Sequence, residues 1–255
     1  MSTLAPFWSV IARDALEVRG PDSFAYLQGQ VSQDLGPVAV GDSRWTFLLE
    51  PTGKVEVLAR VWRTADDAFV MDTDAGFGDV LAARLARFKI RVKADIEPLT
   101  WSAVVVRGTG EARPEGAVVG WWDRDYDLLG AGPTPPLDVE ERARRDYELA
   151  RIEGGWPAMG VEIVPGETIP AETGVTAVAV NYRKGCYPGQ ELVERMDSRG
   201  ASAPRRLRIL DVARGARPGD PIVVDGAEVG RLTSVEGTLA LGYVKRGVDV
   251  GRAGG

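Results

Sequence analysis

Lys184-Gly185-Cys186-Tyr187-Pro188-Gly189-Gln190-Glu191 is the stretch on which the reading of this chain turns. It combines a cation, a thiol, a phenol, two glycines, an amide and a carboxylate, and Asn181-Tyr182-Arg183 precedes it. Gly185 allows a sharp turn or a close backbone approach, and Pro188-Gly189 forces a bend, so Cys186 and Tyr187 are expected on a loop. Lys184 and Arg183 favour the thiolate of a neighbouring cysteine and raise its reactive fraction. Glu191 either counters one of these cations or starts a following helix. An isolated cysteine is ordinarily a small, inert core residue. The polar, loop-forming neighbours set Cys186 apart from that pattern.

Cys186 is the only cysteine in 255 residues, and the chain contains no histidine. These counts exclude Ser-His-Asp and Cys-His triads, His-ligated zinc or haem, and any internal disulfide or thiolate-only metal cage. No metal site is therefore expected, and acid-base work falls to Asp, Glu, Lys or Tyr. The net charge of −6 offers no basic surplus for broad nucleic-acid binding. No apolar run approaches the ~18 residues that would cross a bilayer. Met1-Ser2-Thr3-Leu4-Ala5-Pro6 lacks a basic segment followed by an apolar core. The expectation is a cytoplasmic protein with a reduced thiol and neither nucleic acid nor membrane as partner.

Upstream of the signature the pattern is mixed α and β. After Pro21-Asp22-Ser23, the apolar residues Phe24, Leu27, Val31 and Leu35 recur at helical spacing and predict one amphipathic helix. Residues 45–50 and 54–63 are β-rich and joined by Pro51-Thr52-Gly53, which predicts a hairpin. Residues 67–73 read as a strand and 79–88 as a helix. Arg87-Phe88-Lys89-Ile90-Arg91-Val92-Lys93 alternates strictly and reads as a strand with one cationic face. The Gly- and Pro-rich stretch at 130–136 marks a boundary near 135, and 138–153 reads as a helix ended by Gly154-Gly155. Short β-runs follow at 207–212, 221–225, 228–235 and 238–244, with Asp225-Gly226 as a hairpin signal; they suggest a small antiparallel barrel. The tail at 247–255 is expected to be frayed. Three regions result: 1–135, 136–203 with the signature, and 204–255.

The segment KGCYPGQE at 184–191 resembles the signature of the YgfZ family of folate-binding proteins, relatives of the glycine cleavage T-protein, an aminomethyltransferase. The resemblance extends along the chain through Phe24-Ala25-Tyr26-Leu27-Gln28-Gly29-Gln30-Val31-Ser32-Gln33-Asp34, Pro51-Thr52-Gly53-Lys54-Val55 and Ile169-Pro170-Ala171-Glu172. It continues in Arg195-Met196-Asp197-Ser198-Arg199-Gly200, Gly230-Arg231-Leu232-Thr233-Ser234 and Ala240-Leu241-Gly242-Tyr243-Val244. It implies an α+β, T-protein-like ring of three subdomains around a central folate-sized opening, with a C-terminal antiparallel β-barrel. It also implies a tetrahydrofolate-binding accessory role in assembly or repair of iron-sulfur clusters. The partners would be client enzymes or cluster-assembly proteins.

A folate site needs aromatic surface, a carboxylate or amide for the pterin edge, and cations for the glutamyl tail. Glu153 matches the T-protein glutamate that hydrogen-bonds the pterin. Tyr187, Trp156 and Trp45 offer stacking surface, Gln28 and Gln190 offer amides, and Arg91, Lys93 or Arg195 could meet the tail. Cys186 and Lys184 are the candidate reactive pair. A folate-dependent one-carbon transferase is the alternative, but T-proteins carry an Asp-Asp pair after the hairpin glycine. Here the matching residues are Gly53-Lys54-Val55-Glu56-Val57, of which only Glu56 is acidic. A third reading is a folate-binding sensor with a structural cysteine.

Overall fold

The computed structural model describes residues 4–123, 125–198 and 203–250. In chain order the elements are β1 (Phe7–Arg19), α1 (Ser23–Gln28), β2 (Ser43–Leu49), β3 (Val55–Ala65), β4 (Ala68–Asp74), α2 (Gly78–Phe88), β5 (Asp95–Leu99) and β6 (Ser102–Arg107). Then come β7 (Val118–Val119), β8 (Tyr126–Gly130), β9 (Glu140–Glu141), α3 (Arg144–Glu153), α4 (Thr176–Ala179) and α5 (Gln190–Ser198). A C-terminal group comprises β10 (Arg205–Asp211), β11 (Pro221–Val224), β12 (Ala227–Glu236) and β13 (Leu239–Lys245).

The large sheet runs β2-β3-β4-β1-β6-β8-β7, and β5 and β9 also pair with β1. The 13-residue β1 is its spine: Phe7–Ala12 pairs with β6, and Arg13–Arg19 pairs with β4. The β2–β3 hairpin lies between two cores. Trp45, Phe47 and Leu49 face a core shared with Tyr147, Trp156 and Tyr187, whereas Leu48, Val57 and Val61 face one shared with α1 and α2. Both faces are buried, so the hairpin reads as a nearly continuous apolar run rather than an alternating one.

Where the two halves of the sheet meet, the interior is ionic. Arg60, fully buried, donates to Asp72 through Nε (2.9 Å) and Nη2 (3.0 Å), and to Asp127 through Nη1 (2.7 Å). Arg13 donates to Asp72 at 2.8 Å and pairs with Asp74, and Arg107 donates to the other oxygen of Asp127 at 2.6 Å. The Arg60 and Arg107 guanidiniums also lie 5.0 and 4.2 Å from the Trp45 and Trp121 ring centroids. Burial alone would raise the Asp127 carboxyl, but Arg107 and Arg60 outweigh it and hold the group below the usual carboxylate value.

The C-terminal sheet, in the order β10-β13-β12-β11, docks on α3 through the buried carboxylate of Glu162. That group accepts from Thr233 Oγ1 (2.7 Å), Ser234 Oγ (2.6 Å), Arg151 Nη1 (3.0 Å) and the Ala158 amide (2.9 Å). Gly230 is required within this sheet, because a Cβ there would meet the Tyr243 carbonyl oxygen at 2.0 Å. The expected hairpin turn is present, with Asp225 and Gly226 both at positive φ.

Three expected elements differ. The helix expected over residues 23–35 stops at Gln28, because the Gln28 side chain ties the chain into a loop: Oε1 accepts the Leu35 amide and Nε2 donates to Asp34, both at 2.8 Å. Val31 and Leu35 are buried nonetheless, and Val31 bridges Leu48 in β2. The cationic strand expected at 87–93 does not form. Phe88 completes the helical face of α2, and the following loop turns at Arg91 (φ +56°) while the Lys93 amide is capped by Asp22. The helix expected from 138 begins at Arg144, because Glu140 and Glu141 pair in parallel with Phe7 and Trp8. Arg199 and Gly200 of the 195–200 motif, and the tail from 251, lie outside the described residues.

Replacing Asp127 with Ala would leave Arg60 and Arg107 buried without that carboxylate. The expected cost is at least about 3 kcal/mol in urea unfolding; a loss under about 1 kcal/mol would show the network to be dispensable.

Candidate functional site

The signature loop is seated on two earlier motifs. Ser32 Oγ donates to the Ala179 carbonyl (2.7 Å), the Ser32 carbonyl accepts the Asn181 amide (2.9 Å), and Gln33 Nε2 donates to the Val178 carbonyl (2.9 Å). Lys184 Nζ then donates to the Gln28 and Val31 carbonyls at 2.6 and 2.5 Å, and lies 5.1 Å from the centroid of the Tyr187 ring. The Lys184 side chain therefore latches the signature to the turn after α1. Its burial lowers the ammonium pKa to about 8, with Asp34 only partly opposing the shift.

At the other end, Gly189 (φ +82°) sits on the β2–β3 turn, where an added Cβ would lie 2.4 Å from the Glu50 carbonyl oxygen and 2.9 Å from the Gly53 Cα. Gly53 is equally confined, against Leu192 in α5. Gln190 Oε1 accepts the Tyr187 amide at 2.8 Å and its Nε2 donates to Glu194 at 3.2 Å, closing the bend. Tyr187 is buried in the core, which raises its phenol pKa. Cys186, between these anchors, is exposed.

A separate cleft of about 1050 Å³ opens beside α3 and α4. Trp121, Trp122 and Val119 supply its apolar wall, Glu153, Glu111 and Asp125 its acids, Gln33 its amide, and Arg44, Arg107 and Arg113 its cations. Trp122 Nε1 donates to the Gly154 carbonyl (2.6 Å), and its ring meets Trp156 edge-on at 5.7 Å. Arg107 Nε is buried and has no hydrogen-bond partner among the described residues. Arg113 donates to Asp42 at 2.6 Å, while Arg44 donates to the Ser43 carbonyl and has no carboxylate within 4.0 Å among the described residues.

Of the residues singled out from sequence, Glu153 lines this cleft. Trp45, Trp156 and Tyr187 are core residues, Gln28 and Gln190 hold loops, and Arg195 is exposed on α5; none of these lines the cleft. Arg91 and Lys93 are exposed on the loop after α2. Sequence reasoning missed Gln33, Arg44, Arg107, Arg113, Trp121 and Trp122. The Trp121-Trp122 pair was the available signal; Trp122 takes a left-handed backbone (φ +57°), and both rings pack on Trp156 while lining the cleft.

Two predictions test this loop. Gly189→Ala should lower stability by more than about 1 kcal/mol in urea unfolding, since φ and space both exclude a methyl group; a neutral effect would refute the contact with Gly53. For Lys184, the folded pKa near 8 lies below the ordinary 10.5. Between those values the unfolded chain binds more protons, so stability should rise with pH relative to Lys184→Met, and the penalty should be complete below pH 8. Parallel pH profiles for the two proteins would refute the burial of this amine.

No family model matches the chain. A protein of Chaetomium globosum named as a mitochondrial iron-sulfur cluster assembly factor IBA57 homolog is 26% identical, over 95% of this chain and 65% of its own length. The human iron-sulfur cluster assembly factor IBA57, also named as mitochondrial, is 26% identical over 90% of this chain and 74% of its own. The chain spans 57% to 65% of the length of the first three fungal relatives. Among solved structures, the glycine cleavage system aminomethyltransferase T of Bartonella henselae matches with a TM-score of 0.77 and 18% identity, over 94% of this chain and 78% of that one. The α+β fold is thus similar to that of the T-protein. The expected cytoplasmic location is overturned by the relatives named as mitochondrial. No helix among the described residues is long and apolar enough to cross a membrane, but that property does not assign a compartment. With the signature at 184–191, relatives matching along most of its length and a T-protein-like fold, the chain is similar to the YgfZ and IBA57 proteins.

Proposed function

We propose that this chain is a tetrahydrofolate-binding accessory factor in the assembly or repair of iron-sulfur clusters, and that it acts through Cys186. The observation that carries the reading is the composition of the 1050 Å³ cleft, in which indole surface, three carboxylates (Glu111, Asp125 and Glu153) and three guanidiniums line a single space. A folate presents a flat pterin with adjacent N–H donors, an aryl ring and glutamyl carboxylates. Glu153 accepts from the pterin edge, Trp122 and Trp121 provide the apolar wall, and Arg44, with Arg113 once released from Asp42, meets the tail. The buried, partnerless Nε of Arg107 supports a ligand acceptor at this wall. Bound tetrahydrofolate would supply a reduced pterin able to carry one-carbon groups. The chain's own residues bind it, orient it and shield one face from water.

Cys186 is the reacting thiol, and Lys184 holds its loop through the Gln28 and Val31 carbonyls. Iron-sulfur clusters ordinarily take about four ligands, so one thiol implies transient contact or ligands from a partner, either a client enzyme or a cluster-assembly protein. Among the described residues no three Cys, Asp or Glu side chains are grouped to hold a metal ion. We assign the three subdomains to 1–135, 136–203 and 204–255, set in a ring around the folate opening, with the C-terminal sheet closing into a small barrel.

The transferase alternative is disfavoured by Glu56 and Val57. Glu56 is bound by Arg84 (2.7 Å) and Arg87 (2.9 Å), Val57 is fully buried, and neither lines the cleft. Glu56 is therefore not free to orient an amine donor.

In a strain lacking the protein, Cys186→Ala should fail to restore cluster-dependent enzyme activities while binding tetrahydrofolate as wild type does. Full rescue would refute the thiol role. Arg44→Glu with Trp122→Ala should weaken tetrahydrofolate binding at least about tenfold by titration calorimetry, and unchanged affinity would refute the cleft assignment.

A further inference from the structure

A second cleft, of about 340 Å³, shares no lining residue with the first. The two lie around α4, one lined by Ala177 and Val178 and the other by Gly174 and Thr176. The smaller cleft brackets the signature in sequence: Tyr182 lines it from just before, and Leu192, Val193 and Met196 from just after. Ile169 and Leu207 add to the apolar floor, and Arg206 and Arg208, two residues apart on β10, supply the charge. Neither of these arginines has a carboxylate within 4.0 Å among the described residues, although their neighbour Arg205 is paired with Glu172 at 3.2 Å. Glu172 lines the same cleft and is 5% exposed, and its Oε2, the oxygen paired with Arg205, makes no hydrogen bond among the described residues.

We propose that this cleft docks an acidic, apolar-anchored segment of the partner protein whose groups meet Cys186. The proposal rests on the accessory role given above and names the chemistry of the partner. Each feature corresponds to part of such a segment. A guanidinium pair recognises carboxylates through its fixed fork of donors. A floor of Ile, Leu and Met accepts one apolar side chain, with Met adapting to its shape. Glu172 Oε2, paired with Arg205 but not hydrogen-bonded among the described residues, accepts a backbone N–H, which a peptide supplies at every residue except proline. The volume suits one or two side chains. A nucleotide is a poorer match, since Tyr182 is the single aromatic ring on the lining. In a chain of net charge −6, two uncompensated arginines beside an apolar floor are also the local complement of an acidic surface.

The probe is a fluorescein-labelled peptide of sequence DELFED, acetylated and amidated at its ends, titrated into the full chain and followed by anisotropy. Binding is expected to weaken at least about tenfold in Arg206→Glu/Arg208→Glu, to weaken less in the double lysine variant, and to be unchanged in Cys186→Ala. The sequence KKLFKK should not bind. The proposal is overturned if the charge-reversed variant binds DELFED as tightly as wild type, or if no binding is seen to about 1 mM. It is equally overturned if succinate competes as well as the peptide, which would make this a small-anion site, or if phosphatidylserine vesicles bind with the same dependence on Arg206 and Arg208. Tetrahydrofolate binding by the charge-reversed variant, measured in parallel, should be unchanged because the larger cleft is untouched. In the wild-type chain, folate binding without any peptide binding removes the docking proposal alone; peptide binding without any folate binding removes the folate reading alone.

Discussion

The architecture depends on three arginines and two aspartates enclosed where the two halves of the large sheet meet, with the half-buried Asp74 at their edge. Arg60 sits between Asp72 on β4 and Asp127 on β8, so one guanidinium joins strands from opposite halves. A buried ion pair of this kind often contributes little net stability over well-packed apolar residues, since desolvation offsets the Coulomb attraction. What it imposes here is position. Asp127 also holds Arg107, and Arg107 lies against Trp121, so the network sets the wall of the larger cleft. The cleft chemistry and the sheet crossing share the same side chains.

The signature segment carries a similar double duty. Four of its eight residues are committed to holding the loop: Lys184 on the carbonyls after α1, Tyr187 in the core, Gly189 on the β2–β3 turn and Gln190 on the Tyr187 amide. Gly185 and Cys186 are left exposed between them. A thiol displayed between rigid anchors pays little conformational entropy when it engages a reactant. That is the physical content of the proposed role, and it explains why residues beside a reactive thiol need not touch the ligand themselves.

How much was legible depended on whether the determinant was local. The β2–β3 hairpin, α2 and the four C-terminal strands follow from apolar periodicity and turn residues, and Asp225-Gly226 adopts the positive φ values its type demands. The end of α1 was under-read: Gly29 stands at its C-cap, and Gln28 bonds to residues six and seven positions ahead, which folds the following chain into a loop. At 87–93 two periods competed, and the burial of Leu81 and Leu85 with Phe88 against Arg84 outweighed the strand-like alternation. The ionic network was invisible for another reason. Arg60 occupies what reads as an outward polar position in a strand, but β3 is covered on both faces, so that position points into a second interior.

The same geometry separates this chain from a transferase more firmly than a missing acid would alone. Glu56 is present on the hairpin, and a carboxylate one position from the expected place invites the idea of a shifted function. Strand alternation opposes it: Val57 faces the core shared with α1 and α2, while Glu56 is held by Arg84, whose guanidinium stacks 4.3 Å from the Phe88 ring centroid. Releasing Glu56 would strand a buried guanidinium that already has one nitrogen without a partner. The hairpin acid is therefore consumed in fixing α2 to β3. The titratable group that faces the larger cleft from α3 is Glu153, suited to accepting hydrogen bonds from a ligand, and the thiol stands apart on its own loop. In the proposed function the cleft binds and the thiol reacts, so the two tasks fall to separate parts of the chain.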